Sequence, residues 1–333
     1  MTVTFGPAVE NLTSVPAVWI PEEDMHAVRA SQGDGLKRHG ASLFEYVKVG
    51  SYAEAVAALR EHGDGAKIIA GGQSLVPMMN LRVVRPTVLI DVNAIGHQPV
   101  RLECDRLVLP AMTRYSEVLA SDLVRSQSPL LAAAAAHVGN VRVRNRGTLG
   151  GSLAHGQATA EIAAVALALG AEITVHGSEG DRVIRSEDFF LGYLTTSLAP
   201  DEVVTGLRLP LMGRRRGWSF HELTRRGGWS AVVGVAASVE LAPSEDAVRS
   251  VRVGLIGVAD RPVLGQPTVT SSLVGRVPSA AQLDAVACAV AAATYPIDDV
   301  QASGSYRRRL ARVLTRRALT EALLGAGGRV ATA

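Results

Sequence analysis

Two short glycine-bearing segments constrain this chain more than any other feature. Ala70-Gly71-Gly72-Gln73-Ser74 ends an apolar run, Lys67-Ile68-Ile69-Ala70, that reads as a buried strand. Thr148-Leu149-Gly150-Gly151-Ser152 precedes an apolar helix expected over about 159–169. Each segment sets adjacent glycines beside hydroxyls: Ser74 in the first, Thr148 and Ser152 in the second. Glycine lets a backbone approach a bulky anion and aim its N–H groups at it. A diphosphate presents two anionic groups, so two such loops facing each other would clamp one. Two ordinary turns would leave the same pattern.

Other nucleotide and metal fingerprints are missing. No strand runs into G-x-G-x-x-G, and there is no G-x-x-x-x-G-K-[ST], which disfavours the usual dinucleotide fold and P-loop chemistry. No H-E-x-x-H or paired C-x-x-C suggests zinc, and no G-x-S-x-G elbow anchors a hydrolase triad. Cys104 and Cys288 are the only cysteines. An iron–sulfur cluster takes about four, so this chain is not expected to carry one. Nor do two cysteines make a disulfide scaffold. The net charge of +3 and the 4% aromatic content argue against a nucleic-acid surface. No run reaches the roughly 18 uninterrupted apolar residues of a membrane span. The N-terminus lacks a secretory pattern. A cytoplasmic location is the expectation.

The 333 residues suffice for two or three domains. Residues 1–40 are broken by Pro7, Pro16 and Pro21 and lack periodicity, which predicts an extension that folds, if at all, on something else. Strands are expected at 43–47, 67–70, 88–92, 106–110, 171–175 and 203–209. Ser51-Tyr52-Ala53-Glu54 reads as a capping box before a helix ended by Gly63, and 129–138 as an alanine-rich helix stopped by Gly139. Arg142, Arg144 and Arg146 alternate before the second glycine segment. They fit a solvated strand face as well as a surface toward a cofactor or subunit. Arg214-Arg215-Arg216 marks a boundary. Long strands follow at 218–223, 231–241 and 248–258, then helices at 280–293 and 306–324. The last helix would turn Leu310, Val313, Leu314 and Ala318 inward and Arg307, Arg308, Arg312 and Arg316 outward.

Ile69-Ala70-Gly71-Gly72-Gln73-Ser74-Leu75-Val76-Pro77-Met78-Met79, followed by Leu81-Arg82 and Arg85-Pro86, resembles the flavin subunit of molybdenum hydroxylases. This is the medium subunit of carbon monoxide dehydrogenase and related bacterial enzymes, homologous to the flavin domain of xanthine dehydrogenase. Arg142-Val143-Arg144-Asn145-Arg146-Gly147-Thr148-Leu149-Gly150-Gly151-Ser152-Leu153-Ala154-His155 is similar to its second signature. Phe189-Phe190-Leu191-Gly192, Pro200-Asp201-Glu202 and Arg225-Arg226-Gly227 follow in the family's order. The resemblance covers about 43–326.

The resemblance implies an α+β fold. A two-subdomain FAD-binding domain, PCMH/vanillyl-alcohol-oxidase-like, would occupy 41–215, divided at about 41–98 and 99–215. A C-terminal domain of antiparallel sheet with packed helices would span 216–326, leaving a tail at 327–333. Gly71, Gly72, Gln73 and Ser74 would hold the FAD diphosphate with Thr148, Leu149, Gly150, Gly151 and Ser152. Ile69, Ala70 and Leu75 would line the cofactor, and Val138 and Gly139 would approach the adenine end. Glu161 stands where the family has an aspartate near the ribose or flavin. Val203 and Val204 would pack on the cofactor, and Trp229 stands where relatives carry an aromatic beside the flavin ring. A core aromatic at Trp229, a solvated Glu161 and a structural His155 are the alternatives. The chain departs from the family at Gly156-Gln157-Ala158, where an acid and a proline are usual, and at Gly227-Gly228-Trp229-Ser230.

The function implied is an FAD-carrying electron-transfer subunit of a heterotrimeric molybdenum hydroxylase, with no catalytic acid or base and no metal ligand of its own. A large subunit would carry the molybdenum cofactor and a small one two [2Fe–2S] clusters, and the assembly would be a dimer of heterotrimers. A self-contained flavin oxidoreductase and a scaffold subunit that has lost flavin are the rival readings. The organic substrate would be set on the molybdenum subunit.

Overall fold

The computed structural model describes residues 41–228 and 230–331. The extension expected at 1–40, Trp229 and the last two residues lie outside them. Chain order begins with β1 (Glu45–Lys48), α1 (Tyr52–His62), β2 (Ala66–Ile69), α2 (Leu75–Asn80) and β3 (Val88–Asp91). The three strands form a parallel sheet in the order β1-β3-β2. Val88-Leu89-Ile90-Asp91 is buried throughout because it runs down the middle. Ser51 caps α1 by accepting the Glu54 N–H at 3.1 Å. The Glu54 carboxylate reaches the Gly50 N–H at 2.8 Å, one residue before the cap, so the reciprocal half of the expected box has slipped.

A second subdomain starts with β4 (Arg101–Glu103) and β5 (Arg106–Pro110). It continues through α3 (Tyr115–Ala120), α4 (Asp122–Gln127), α5 (Pro129–His137), α6 (Val141–Arg146), α7 (Leu149–His155) and α8 (Glu161–Leu169). Then come β6 (Glu172–Gly177), β7 (Gly180–Arg185), the small hairpin β8 (Phe190–Gly192) and β9 (Thr195–Thr196), and β10 (Val203–Pro210). The antiparallel sheet runs β4-β5-β10-β6-β7.

Two expectations change in this subdomain. The alternating arginines belong to helix α6, because the Asn140 side chain accepts the N–H groups of Arg142 at 2.9 Å and Val143 at 3.2 Å. That cap nucleates a turn over a segment whose period reads as strand. The second glycine segment is likewise the first turn of α7, capped by Thr148. The sequence carries no marker for β7. It is an edge strand whose one buried side chain is Ile184, too little for an apolar pattern.

The third layer is an antiparallel sheet of β11 (Arg216–Leu223), β12 (Val233–Leu241), β13 (Val248–Ile256) and β14 (Val263–Leu264). Helices α9 (Ala280–Ala292) and α10 (Gly304–Gly325) cover one face. The other face meets α8, all nine residues of which are buried. An all-apolar helix of this kind belongs between two layers, and here it lies between the second subdomain and the C-terminal sheet. After α10 the chain turns back, and the Ala331 N–H donates to the Pro278 carbonyl at 2.8 Å. Among the described residues, no helix is long and apolar enough to cross a membrane.

On α10 the arginine pattern fails at one residue. Arg308, Arg312 and Arg316 are exposed, but Arg307 is 4% exposed. Its guanidinium donates to the carbonyls of Val232 and Gly257 and pairs with Asp299 at 2.6 Å. Strand-end carbonyls turned away from water need donors, and Arg307 supplies them. Removing it would leave the buried Val232 and Gly257 carbonyls without this donor. Arg307→Ala should therefore cost about 3 kcal/mol of stability. Arg312→Ala, which loses an exposed pair with Asp284, should change it little. Denaturant titration of both variants checks this, and equal losses would contradict it.

Candidate functional site

A cavity of about 750 Å³ opens where the parallel sheet faces α7 and the start of β10. That volume lies within the range of small-molecule and cofactor sites. Both glycine segments reach it, and the backbone brings them together. A β-carbon on Gly71 would overlap the Arg146 carbonyl oxygen and come within 2.9 Å of Gly147 Cα. Only glycine permits that backbone-to-backbone contact. A β-carbon on Gly151 would lie 3.8 Å from Ala70 Cβ, so the second segment also comes close to the first at this point.

The two segments differ in what they offer a ligand. Among the described residues, no group accepts the backbone N–H groups of Gly72, Gln73, Ser74 and Leu75. Gly72 sits at φ +71°, which turns this row into a concave donor loop. Gln73 braces it by donating to the Gly71 carbonyl at 3.0 Å, and Asn93 donates to the Ala70 carbonyl at 2.9 Å. In the second segment the donors are spent. Leu149 N–H goes to the Thr113 carbonyl at 3.0 Å, Gly150 N–H to the Ala111 carbonyl at 2.8 Å, and Gly151 N–H to Thr148 Oγ1 at 3.1 Å. The Ser152 N–H goes to the Thr148 carbonyl at 3.1 Å.

Gly150 is therefore a packing glycine. A β-carbon there would overlap Ala111. Leu149, expected at the ligand, is fully buried in the core and does not line the cavity. Helical phase explains the departure of Leu149, since α7 turns it into the core while Gly150, Gly151 and Ser152 stay at the cavity wall, Gly150 with its Cα packed against Ala111.

The remaining expected residues lie as follows. Ile69, Ala70, Gly71, Gly72, Gln73, Ser74 and Leu75 line the cavity on the first-subdomain side. Thr148, Gly150, Gly151 and Ser152 line the opposite side. Val138 and Gly139 line it too, held by Arg144, which donates to both their carbonyls at 3.0 Å. Arg144 is thus committed to the turn and does not offer its charge to a ligand. Val203 and Val204 enter from the start of β10. Glu161 is in the wall, at the first turn of α8. It is 8% exposed, not solvated, and burial pushes its carboxyl up to about 7. Trp229 lies outside the described residues, while its neighbours Gly228 and Ser230 line the cavity.

Sequence reasoning missed several lining residues. Tyr115 is buried under the second segment, where burial raises its phenol and Ser152 hydrogen-bonds it. Met112, Val143 and Leu198 add apolar wall. His155 lines the cavity rather than merely packing, and burial lowers its pKa, favouring a neutral ring. Val143 and His155 fall inside the 142–155 segment; Tyr115, Met112 and Leu198 carry no local signal. Leu194 also lines the cavity, at a φ of +49° that a sequence does not display.

The wall contains no arginine among the described residues, and Lys67 is its one lysine. Glu202 is held low by Arg182, which bonds it at 2.5 and 2.7 Å. A diphosphate here would be met chiefly by backbone N–H dipoles and hydroxyls, which is what the free row from Gly72 to Leu75 supplies. The donor set fits a ligand that carries a diphosphate.

Comparison with known proteins gives a consistent result. Residues 42–212 match the FAD binding domain in molybdopterin dehydrogenase, and residues 218–322 the CO dehydrogenase flavoprotein C-terminal domain. The chain is 36% identical over 280 residues to the carbon monoxide dehydrogenase medium chain of Hydrogenophaga pseudoflava, covering 84% of this chain and 96% of that one. It is 34% identical over 281 residues to the 6-hydroxypseudooxynicotine dehydrogenase complex subunit alpha of Paenarthrobacter nicotinovorans, covering 84% and 94%. A solved carbon monoxide dehydrogenase from Hydrogenophaga pseudoflava superposes with a TM-score of 0.83 at 34% identity, covering 86% of this chain and 99% of that one. Quinoline 2-oxidoreductase from Pseudomonas putida 86 does so with 0.79 at 31%, covering 86% and 99%.

The glycines predict separable defects. Gly72→Ala places a side chain at positive φ, costs about 1 kcal/mol and leaves most of the chain folded. Gly150→Ala must displace the Ala111 backbone and should cost clearly more. Thermal melts of the two soluble variants compare them; equal losses would contradict the packing role of Gly150.

Proposed function

The chain belongs to the family of FAD-binding subunits of molybdopterin dehydrogenases, and from that premise we propose that it is the electron-transfer subunit of a molybdenum hydroxylase complex. FAD, when bound, supplies the capacity to accept electrons and release them to an external acceptor. The chain's own residues bind and orient it. The observation that carries the reading is the free N–H row from Gly72 to Leu75, set against α7 by the Gly71–Arg146 contact.

In this reading the N–H groups of Gly72–Leu75 take one part of the diphosphate, with Ser74 adding a hydroxyl. Gly151 and Ser152 approach the other part. Ile69, Ala70, Val203 and Val204 pack on the cofactor, Val138 and Gly139 lie at its adenine end, and Glu161 lies near the ribose or flavin. Trp229 remains the candidate aromatic beside the ring. Residues 41–215 are the FAD-binding part and 216–326 the C-terminal domain. No wall residue is assigned as catalytic acid or base.

The partners proposed are a large subunit with the molybdenum cofactor and a small subunit with two [2Fe–2S] clusters, assembled as a dimer of heterotrimers. Support comes from the relatives, which are named as medium chains or as subunits of dehydrogenase complexes. A stable association of this kind buries at least about 1,200 Å² in total.

Two outcomes test the proposal. The chain expressed alone should be yellow, release FAD into the supernatant on acid or heat denaturation, and oxidise no organic substrate. Colour that stays with the precipitated protein would refute noncovalent binding. Expressed with a molybdenum-type and a ferredoxin-like subunit, it should elute as one complex. A monodisperse single chain that turns over an organic substrate would replace this reading with a self-contained oxidoreductase.

A further inference from the structure

The parallel sheet that delivers the first glycine segment stops one peptide short of it. Beyond the paired ends of β2 and β3 one more ladder bond forms, from the Val92 N–H to the Ile69 carbonyl at 3.2 Å. The next carbonyl, that of Ala70, is taken by the Asn93 side-chain nitrogen at 2.9 Å. The one after, that of Gly71, is taken by Gln73 at 3.0 Å. Both peptides are trans, so each carbonyl points away from the N–H of its own plane. Holding the Ala70 carbonyl therefore aims the Gly71 N–H, and holding the Gly71 carbonyl aims the Gly72 N–H. Adjacent glycines would otherwise let these planes turn at little cost.

Asn93 needs a direction of its own. Its amide can turn either an oxygen or a nitrogen toward Ala70, and only the nitrogen bonds a carbonyl. Asp91 settles the choice. Its Oδ1 accepts the Asn93 backbone N–H at 2.9 Å and the Asn93 side-chain nitrogen at 2.5 Å. An ionised carboxylate only accepts, so the Asn93 nitrogen must face it, with its second hydrogen left for Ala70. Asp91 is anchored in turn from β1, where the Tyr46 hydroxyl donates to its Oδ2. Tyr46 stands opposite Leu89, so Asp91, two residues on, shares its face of the sheet. Lys48 stands opposite Asp91. Burial alone would raise the Asp91 carboxyl, but the hydrogen bonds from Tyr46 and Asn93 outweigh it, with help from the Lys48 charge, and hold it below its ordinary value. It is thus an ionised acceptor at neutral pH. Tyr46, Asp91 and Asn93 all stand outside the cavity wall.

We propose that Asp91, anchored by Tyr46, is a positioning residue that works through Asn93 to hold the Ala70–Gly71 peptide, and so sets how tightly the first glycine segment binds a diphosphate. The identity of that ligand, and nothing else, rests on the FAD reading. Two effects of opposite sign separate this role from plain electrostatics. By charge alone, a carboxylate behind an anion site weakens binding, so neutralising it would strengthen binding. Through the amide, neutralising it does the reverse. With Asp91→Asn the new amide can donate as well as accept, which leaves Asn93 free to turn its oxygen toward Ala70. The Ala70 carbonyl then loses its donor, and the Gly71 N–H loses its aim.

The test is FAD affinity of the full chain, by flavin fluorescence, in wild type, Asp91→Asn, Asn93→Ala and Tyr46→Phe, with the phosphorus NMR spectrum of the bound diphosphate recorded for each. Asp91→Asn and Asn93→Ala should each weaken FAD about tenfold, the worth of roughly one hydrogen bond. The diphosphate resonances should shift in both, while the visible flavin spectrum keeps its shape. Tyr46→Phe removes one hydroxyl from a half-exposed ring. It should weaken FAD in the same direction, and it carries the comparison should the other two fail to fold. Tighter binding by Asp91→Asn would reveal a charge effect and overturn the proposal. Wild-type affinity in the folded variants, or weaker binding with unmoved phosphorus resonances, would overturn it too. A wild-type chain that binds no FAD refutes the FAD reading instead. The positioning role is then read from the backbone amide resonances of the chain without ligand: those of Gly71 and Gly72 should move in Asn93→Ala and in Asp91→Asn, and unmoved resonances would overturn it.

Discussion

The contact of Gly71 with the Arg146–Gly147 backbone is what the site depends on. It docks the small parallel sheet against the helical side of the second subdomain with no side chain between them. Because the approach is backbone to backbone, the donor loop from Gly72 to Leu75 is placed by peptide geometry, not by a flexible side chain. Gln73 and Asn93 then brace the carbonyls of Gly71 and Ala70. A wall assembled this way meets an anion with fixed dipoles, so it can do without arginine, although all but three of the chain's 34 basic residues are arginines. Those arginines are used elsewhere: Arg144 on the Val138–Gly139 turn, Arg182 on Glu202, Arg307 on strand-end carbonyls.

Much of this was legible in the sequence because the signals were local. The apolar runs of β3 and β10, the alanine-rich α5 and the Ser51 cap of α1 each depend on a few neighbouring residues. The two glycine segments were legible as a pair, and their facing arrangement followed from the chemistry of a diphosphate. What could not be read was the division of labour within them. Gly71, Gly72, Gly150 and Gly151 look alike in a sequence. One permits a close approach, one a positive φ, and of the two on α7, both in the cavity wall, only Gly150 packs on Ala111.

The misreadings share a cause. Arg142, Arg144 and Arg146 carry a period-2 pattern, but a six-residue segment is too short for period to outweigh the Asn140 cap. Arg307 falls on the outward side of a helical wheel, yet the carbonyls of Val232 and Gly257 draw it inward from segments 75 and 50 residues away. Glu161 is expected at the cofactor, with a solvated helix residue as the alternative, and a local window cannot choose between them. Its burial is decided by the C-terminal sheet, which no local window contains.

That sheet makes the chain's two matched regions physically interdependent. After Glu161, α8 is apolar on every side, so it cannot be exposed to water on either flank without a large hydrophobic cost. It belongs at once to the layer that builds the cavity and to the layer formed by β12 and β13. The C-terminal region is therefore not an appendage to the site, since stripping it away would bare a helix whose first residue, Glu161, is in the cavity wall. The cavity wall and the packing of the C-terminal sheet are thereby linked through a single helix.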